Sequence, residues 1–234
     1  MNRILFERTE IVGDTATFSG IRAEHVLKVL HGEVGQVLKT GEINGAIGNS
    51  VIKDISPAGE IIVTVAHDSA SPQPWFDLIL APPRPRVMKR LLPQLATLGV
   101  GRIVLVGAKK VEKDFWGATL LKEEQYRPLL IDGLMQAGTS IMPTIETRRN
   151  FRKFVNDELD GMFPDSERIL AHPYGGTELS HDDNRRPLLA VGPEGGWTDD
   201  ELELMEAKGF ARRTLGDRIL RTDTATIALI ARLI

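Results

Sequence analysis

The first third of the chain alternates between short apolar segments and polar turns. Brief β-branched or alternating runs predict four strands, with one helix over 23–30 among them. The predicted strands cover residues 15–18, 35–38, 51–55 and 61–66. Asn44-Gly45 is a signal for a tight turn. Strands this short and this closely spaced predict a small β-barrel over residues 1–70.

The pattern changes after a proline-containing connector at residues 69–74. Its two prolines among small polar residues favour an extended segment, so we place a domain boundary after residue 70. Beyond it, apolar runs typical of buried strands alternate with segments of helical period. The predicted strands are 76–81, 102–106, 168–171, 187–191 and 211–215, and the predicted helices are 87–98, 121–136, 150–159, 198–208 and 222–234. This alternation predicts an α/β domain over 71–234 with a mostly parallel sheet.

Local signals predict several helix ends. Gly99 is suited to end the first helix of this domain, and Gly209 to end the fourth. Thr198 with Glu201 forms a capping box, which opens that fourth helix. Thr222 is the predicted N-cap of the last helix.

Composition limits the classes of function. The chain has 234 residues, no cysteine and a net charge of −3. Without cysteine, disulfides, thiolate catalysis and cysteine-ligated zinc are excluded. The sequence has no apolar run that could span a bilayer and no signal-peptide pattern, so we expect a cytoplasmic protein without a membrane partner. The first 70 residues carry six basic and nine acidic residues, so any nucleic-acid binding must come from local patches.

The sequence offers little support for a metal or for phosphate-loop chemistry. No two of the five histidines have ligand spacing on one helix face, and we expect no metal. His181-Asp182-Asp183 resembles a hard-ion cluster, but a solvated polar loop is the better account. There is no Gly-Lys-Ser/Thr phosphate loop and no Gly-x-Ser-x-Gly elbow. Gly99-Val100-Gly101 precedes a predicted strand instead of following one, so it is interpreted as a helix stop.

The glycine-rich loop Val191–Trp197 lies between a predicted strand and a capped helix. Ligands of open α/β sheets bind at the carboxyl ends of strands, where this loop must lie. Its three glycines let the backbone approach a ligand closely, and its proline restricts the turn. Glu194 places a carboxylate beside peptide N–H groups. A merely tight connection does not need all of these residues, so the loop is predicted to bind a ligand.

A second segment, Leu215–Ala225, also joins a predicted strand to a predicted helix. Leu215, Ile219 and Leu220 are large apolar residues in a loop, where they either plug the core or form an apolar wall for a flat heterocycle. Arg221 directly precedes the predicted N-cap, where a positive charge opposes the helix dipole. We therefore expect a separate task for this arginine.

Two short basic segments contain no acid. They comprise Arg84, Arg86, Lys89 and Arg90, and Arg148, Arg149, Arg152 and Lys153. Each is either a solvated helix face or a site of phosphate contact, which needs only local positive charge.

Together the two loops resemble a known family. GPEGGW at 192–197 followed by LGDRILRTDTA at 215–225 is similar to the RsmE-type ribosomal RNA methyltransferases, which methylate N3 of a uridine in 16S RNA. That family belongs to the SPOUT class of knotted S-adenosylmethionine enzymes. Residues 3–6 and 25–30 resemble the family's PUA-like, RNA-binding barrel.

The resemblance implies a PUA-like barrel over 1–70 and a SPOUT α/β domain over 71–234 with a parallel sheet and a trefoil knot. It implies a homodimer that acts on small-subunit ribosomal RNA. S-adenosylmethionine would be held by Ala171, His172, Pro173, Val191, Gly192, Glu194, Gly195, Gly196, Leu215, Gly216, Ile219 and Leu220. The expected RNA contacts are Arg3, Lys28, Arg84, Arg86, Lys89, Arg90, Arg148 and Arg149.

The predicted chemistry is methyl transfer to a uracil nitrogen that first loses its proton. Arg221 would stabilise the resulting anion, and either Glu194 or Asp223 would accept the proton. Two alternatives stay open at this point: another SPOUT methyltransferase, for example one acting on the ribose 2′-oxygen, and a non-catalytic RNA-binding protein of the same fold. A nucleotide-phosphate enzyme is disfavoured by the missing lysine and metal ligands.

Overall fold

The computed structural model describes residues 2–182 and 184–234, and the chain divides into two units. The first unit comprises Met1–Gln73 and Leu130–Met142. The second comprises Pro74–Leu129 and Pro143–Ile234. Each unit therefore draws on two separate stretches of the sequence.

The first unit is built on a mixed six-stranded sheet with the strand order β1-β4-β5-β6-β3-β2. The strands are β1 Ile4–Phe6, β2 Ile11–Val12, β3 Thr15–Phe18, β4 Val37–Glu42, β5 Ile47–Ile55 and β6 Ile61–Ser69, with the helix α1 Gly20–Lys28 between β3 and β4. Strand β1 lies parallel to β4, and the other neighbours are antiparallel. The sheet curls into a half-barrel, which confirms the predicted small barrel with one helix in a more open form.

The alternation of apolar residues explains how this sheet closes over a core. Phe6, Phe18, Val26 and Ile52 are almost fully buried and share one hydrophobic cluster. The predicted turn joins β4 to β5, with Asn44 at a φ of +60°. Asparagine tolerates this left-handed conformation better than most residues, which is why it suits the turn.

Arg3 has a structural role in the first unit. Its Nε donates to the carbonyl of Gly138 at 2.9 Å, and Nη1 donates to the carbonyls of Thr40 and Gly48 at 2.6 and 2.9 Å. Desolvation by burial lowers the pKa of Arg3. The guanidinium thus ties the 130–142 segment to the sheet, and its predicted RNA contact stays a prediction.

The second unit is an α/β domain with a seven-stranded, fully parallel sheet, as the alternating pattern predicts. The strand order is β11-β13-β10-β12-β7-β8-β9. The strands are β7 Phe76–Leu80, β8 Val100–Val106, β9 Thr144–Arg148, β10 Glu167–Ala171, β11 Thr177–Glu178, β12 Pro187–Val191 and β13 Ala211–Thr214. The trefoil knot stays a prediction.

Five helices lie within the described residues of the second unit, and a sixth, α3, begins there and continues into residues of the first unit. Their bounds lie near those of the five predicted helices. The helices are α2 Pro85–Leu98, α3 Glu123–Ala137, α4 Phe151–Lys153, α5 Leu159–Met162, α6 Asp199–Ala207 and α7 Thr222–Ala231. A π-helical turn, Phe154–Glu158, links α4 to α5, so the predicted 150–159 helix continues to residue 162. Gly99 ends α2 with a φ of +88°, which confirms the predicted helix stop.

Two strands of the second sheet were not predicted. Strands β9 and β11 lie at its two edges, and their residues are partly or fully exposed. Because an exposed edge strand needs no apolar run, the hydrophobic pattern gives no signal for it.

The central strands β7 and β12 are buried throughout, as parallel strands covered on both faces must be. Strands β13, β10 and β12 are neighbours in parallel register, with Ala171 opposite Arg213 and Leu170 opposite Ala190. Their carboxyl ends therefore meet at one edge of the sheet, which we call the carboxyl edge. Within the part of the chain that the structure describes, no helix has the length and apolar character needed to cross a bilayer.

Candidate functional site

A cavity of about 310 Å³ opens at the carboxyl edge of the parallel sheet. Its walls are the loops that follow β10, β12 and β13, the three neighbouring strands of that edge. All twelve residues predicted to hold the cofactor line it: Ala171, His172, Pro173, Val191, Gly192, Glu194, Gly195, Gly196, Leu215, Gly216, Ile219 and Leu220. Loops that are far apart in the sequence are thus brought to one place by the strand order.

The glycine-rich loop is shaped by the tryptophan that ends it. Trp197 is 4% exposed and packs against Phe151, with 5.5 Å between the ring centres. A Cβ on Gly192 would lie 3.0 Å from the Trp197 Nε1 atom, so the backbone needs glycine there. Gly196 has a φ of +69°, a conformation that glycine adopts without strain.

The indole nitrogen of Trp197 is an unsatisfied donor beside the cavity. Trp197 Nε1 is buried and has no hydrogen-bond partner among residues 2–182 and 184–234. A buried N–H without a partner costs free energy, and a ligand acceptor at this point would recover it. The residue lines the cavity, so this donor supports a ligand-binding role for the loop.

The predicted capping box at the start of α6 is confirmed. The Thr198 side chain accepts from the N3 backbone, and the Glu201 carboxylate accepts from Thr198 N at 2.8 Å. Glu201 is only 8% exposed, and its second oxygen accepts from Lys109 N at 2.7 Å. This carboxylate therefore connects the glycine-rich loop to the loop after β8.

Lys110 is a site residue that the sequence analysis missed. It lines the cavity, and its Nζ donates to the Gly195 carbonyl at 2.8 Å and approaches the Trp197 carbonyl at 3.4 Å. A single exposed lysine forms no recognisable sequence motif, so the residue was not predicted. Lys110 does, however, follow β8, whose carboxyl end lies at the same edge of the sheet. The rule that located the glycine-rich loop would have pointed to this loop as well.

The Leu215–Ala225 segment contributes apolar side chains to the wall of the cavity. Ile219 is 71% exposed and Leu220 is 36% exposed. Of the two interpretations of these apolar residues, a core plug is wrong for Ile219, because the side chain faces solvent. Tyr174, which was not predicted, also lines the cavity and is largely exposed.

The three predicted catalytic residues come together around an adjoining cavity of about 280 Å³. It is lined by Val87, Glu194, Ile219, Leu220, Arg221, Thr222 and Asp223. Glu194, Ile219, Leu220 and Thr222 line both cavities. The two cavities therefore adjoin along these four residues.

The charged groups of the second cavity have different partners. One oxygen of Asp223 accepts from Arg90 at 3.2 Å, and the other lies 3.8 Å from the Arg221 Nε atom. Glu194 Oε1 accepts from the backbone N–H of Arg84 at 3.2 Å. Arg221 is mostly exposed, so its guanidinium is available to a ligand.

The predicted N-cap of the last helix is wrong by one residue. Arg221 is itself the N-cap, with extended backbone, and α7 begins at Thr222. Ala225 N donates to the Arg221 carbonyl at 2.7 Å. The hydroxyl preference for N-caps does not decide the boundary here, because Thr222 is drawn into the buried side of the helix.

The basic residues predicted to contact RNA differ in whether they form ion pairs with other residues of the chain. Arg84 pairs with Glu112, and Lys28 pairs with Glu24. Arg86 and Lys89 are exposed on α2 and have no ion-pair partner in the described parts of the chain.

Arg148 and Arg149, in the second basic segment, both have side-chain contacts within the chain. Arg148 forms ion pairs with Glu158 and Glu146, and the hydrogen bond that it donates to the Glu158 carboxylate raises the pKa of Arg148. Arg149 stacks on Trp116 and donates to its carbonyl. All of these residues stay predictions as RNA contacts.

The described residues contain no group of three or more side chains suited to hold a metal ion. Asp183, part of the cluster considered at 181–183, lies outside the described residues. His181 is near Glu167, with 3.6 Å between Nδ1 and the carboxylate.

Comparisons with known proteins agree on one family. The family model described as an RNA methyltransferase domain matches residues 70–234. The chain is 32% identical over 239 residues to ribosomal RNA small subunit methyltransferase E of Treponema pallidum, covering 99% of this chain and 90% of that protein. It is 24% identical to the protein of that name from Synechocystis, covering 99% and 76%.

Solved structures show the same fold. The structure is similar to a ribosomal RNA small subunit methyltransferase E from Neisseria gonorrhoeae bound to S-adenosylmethionine, with a TM-score of 0.76, 23% identity and coverage of 99% of this chain and 95% of that one. It is also similar to a methyltransferase from Legionella pneumophila in complex with the same molecule, with a TM-score of 0.75, 23% identity and coverage of 99% and 96%. The extent of the family match and the identity over the whole length lead to one conclusion: the chain belongs to the RNA methyltransferase family, among the ribosomal RNA small subunit methyltransferases E.

Proposed function

We propose that this protein transfers a methyl group from S-adenosylmethionine to N3 of a uridine in small-subunit ribosomal RNA. The observation that carries the proposal is the convergence of three loops on the cavity at the carboxyl edge, next to a second cavity that holds Arg221, Glu194 and Asp223. Family membership supplies the reaction class, and the geometry supplies a place for each reactant.

The first cavity fits the cofactor. Its volume of about 310 Å³ is in the range of small-molecule sites. The exposed side chain of Ile219 and the neighbouring Leu220 offer an apolar face for adenine. Trp197 Nε1 and the backbone groups of the three loops supply polar partners for the ribose and the base edge.

The cofactor, when bound, supplies a methyl group on a positively charged sulfur. The chain's own residues must hold the uracil and manage its N3 proton. Positioning two reactants side by side removes much of the entropic cost of a bimolecular reaction. The shared wall of Glu194, Ile219 and Leu220 brings the two cavities close enough for this.

Arg221 stabilises the anion that forms when N3 loses its proton. The negative charge spreads onto the two uracil oxygens that flank N3, and a guanidinium beside one of them lowers its energy. One well-placed donor of this kind is worth about 3–4 kcal/mol in the transition state. The high exposure of Arg221 leaves its donors available for this contact.

Glu194 is the carboxylate assigned to accept the proton. Both oxygens of Asp223 already face arginines, Arg90 and Arg221. Glu194 Oε1 accepts a single backbone hydrogen bond at 3.2 Å, which leaves Oε2 for N3–H. Asp223 then orients Arg221 instead of taking the proton.

The proposal includes the partners implied by the resemblance. Arg86 and Lys89 on α2, with Arg84, Arg90 and the residues at 148–149, would contact RNA phosphates near the site. A second copy of the chain would complete the active site in a homodimer. A ribosomal RNA substrate agrees with the cytoplasmic location expected from the sequence.

The test is incubation of the protein with labelled S-adenosylmethionine and small ribosomal subunits that lack the modification, followed by nucleoside analysis. We expect 3-methyluridine as the labelled product. Label on a ribose oxygen would indicate another methyltransferase specificity. RNA binding without label transfer would indicate a non-catalytic protein, and either result would overturn the proposal. Light scattering of the purified protein tests the homodimer.

A further inference from the structure

The loop after β8 is hydrogen-bonded to the glycine-rich loop through one ammonium group. Lys110 Nζ donates to the Gly195 carbonyl at 2.8 Å and lies 3.4 Å from the Trp197 carbonyl. A charged donor on a carbonyl makes a stronger bond than a neutral one. The two carbonyls flank the stretch of backbone that lines the cavity, so this contact restrains the loop on both sides of Gly196.

The aliphatic stem of Lys110 adds a packing contact at the same place. A Cβ on Gly195 would lie 3.0 Å from Lys110 Cδ and 3.3 Å from its Cβ. The backbone of the glycine-rich loop therefore lies directly against the lysine stem. The glycine at 195 is explained by this close approach, because its φ does not fall in the left-handed region.

A buried carboxylate anchors the backbone of Lys109, the residue that precedes Lys110. Glu201 is 8% exposed, and its two oxygens accept from Lys109 N at 2.7 Å and Thr198 N at 2.8 Å. One oxygen thus anchors the backbone next to Lys110, and the other caps the helix that follows the glycine-rich loop. Breaking either bond leaves a buried charge with a missing partner, which makes the arrangement rigid.

We propose that Lys110 and Glu201 form a brace that holds the glycine-rich loop in its cofactor-binding conformation. Lys110 acts as a positioning residue, since its ammonium contacts the loop carbonyls, and Glu201 positions the lysine. The identity of the cofactor rests on the proposed function, whereas the restraint of the loop does not. Without the brace, binding must first order the loop, and that cost lowers affinity.

The first experiment measures binding of S-adenosylmethionine and S-adenosylhomocysteine by calorimetry to the full chain and to Lys110→Met. We expect about tenfold weaker binding of both, because binding must then order a loop that the lysine no longer restrains. Lys110→Arg retains a charged donor and should restore most of the affinity. Lys113→Met is the matched control, because Lys113 is an exposed lysine nearby whose side chain has no partner in the described residues.

The second experiment follows amide hydrogen exchange in the ligand-free proteins. Lys110→Met should speed exchange at residues 192–198, and Glu201→Gln should speed it at Lys109 as well, while Lys113→Met should change neither. Unchanged exchange and affinity in Lys110→Met, or an equal loss of affinity in Lys113→Met, would overturn the brace. A third outcome separates the brace from the cofactor. If the wild-type protein binds neither molecule but exchange at residues 192–198 is faster in Lys110→Met, the proposed cofactor is overturned and the brace is supported.

Discussion

The amino edge of the parallel sheet, where its strands begin, and the carboxyl edge, where they end, differ in how their polar groups are paired. At the amino edge, where the strands begin, Asp77 is 8% exposed and accepts from Arg186 Nε at 2.7 Å, Arg186 Nη2 at 2.8 Å and Arg102 N at 2.8 Å. Arg186 also donates to the carbonyls of Pro74 and Phe76. At the carboxyl edge, Trp197 Nε1 is unsatisfied, Ile219 is largely exposed, and Arg221 points a mostly exposed charge toward a cavity.

We expect this difference to separate stability from function within one sheet. Groups that satisfy each other internally stabilise the fold but have nothing left for a ligand. A buried donor without a partner costs stability, and we expect it to persist where a ligand supplies the missing acceptor. Gly101 illustrates the first case, because a Cβ there would lie 2.2 Å from Arg186 Nη2 and would break the ion pair.

The largest expected effect is on catalysis at the carboxyl edge. Arg221→Ala should lower turnover by about 10²–10³-fold, because one preorganised donor to the uracil anion is lost. Affinity for S-adenosylmethionine should stay within about threefold of wild type, which calorimetry measures. Arg221→Lys keeps the charge but loses the planar fork, so its activity should fall between the two. Wild-type turnover in Arg221→Ala would remove this residue from the mechanism.

The second effect is on stability at the amino edge. Asp77→Ala should lower the free energy of unfolding by about 2–3 kcal/mol, since Arg186 loses its carboxylate partner and the backbone N–H of Arg102 loses its acceptor. Denaturant titration measures the loss. Methyl transfer per folded molecule should stay at the wild-type level. A variant with normal stability and impaired transfer would contradict the separation of the two edges.

A smaller effect is expected in the glycine-rich loop. Gly195→Val should weaken S-adenosylmethionine binding by about tenfold, because the new Cβ would displace the Lys110 stem and shift the loop. Gly117→Val is the control, because a Cβ there meets nothing within 4 Å. Unchanged affinity in the first variant, measured by calorimetry, would contradict the assignment of this loop.

The smallest effect is a pH dependence of stability at the amino edge. Hydrogen bonds from Lys208 and Arg168 hold the pKa of Asp160 below its usual value of 3.8. A carboxyl with a lowered pKa stabilises the fold above pH of about 3.8, and this contribution is lost as the pH falls through the lower, folded-state pKa.

The substitution Asp160→Asn tests this pH-dependent contribution to stability. Thermal unfolding between about pH 5 and pH 3 should show a shallower loss of stability in this variant than in wild type. Asp165→Asn, an exposed neighbour, should follow the wild-type curve. Equal slopes for Asp160→Asn and wild type would show that the Asp160 ion pairs do not contribute.

Much of the fold follows from local patterns in the sequence. Strand β12 was predicted at its observed bounds, α2 ends at the predicted Gly99, and the Thr198–Glu201 capping box forms as expected. These features depend on neighbours within a few residues, which is why periodicity and capping rules find them. The two loops that carry the site were found for the same reason, since their glycines and misplaced apolar residues are visible in sequence.

What the sequence could not supply depends on contacts between distant segments. The sequence by itself determined most of the elements, the family and the two loops that line the candidate site. Only the tertiary structure decided that β13 lies beside β10, that residues 130–142 join the first unit, and that Lys110 contacts the glycine-rich loop. The physical reason is the sequence distance over which each feature is determined. The type of an element follows from backbone preference and nearby side chains. A site built from distant loops forms only once the strand order has been set by burial of the whole sheet.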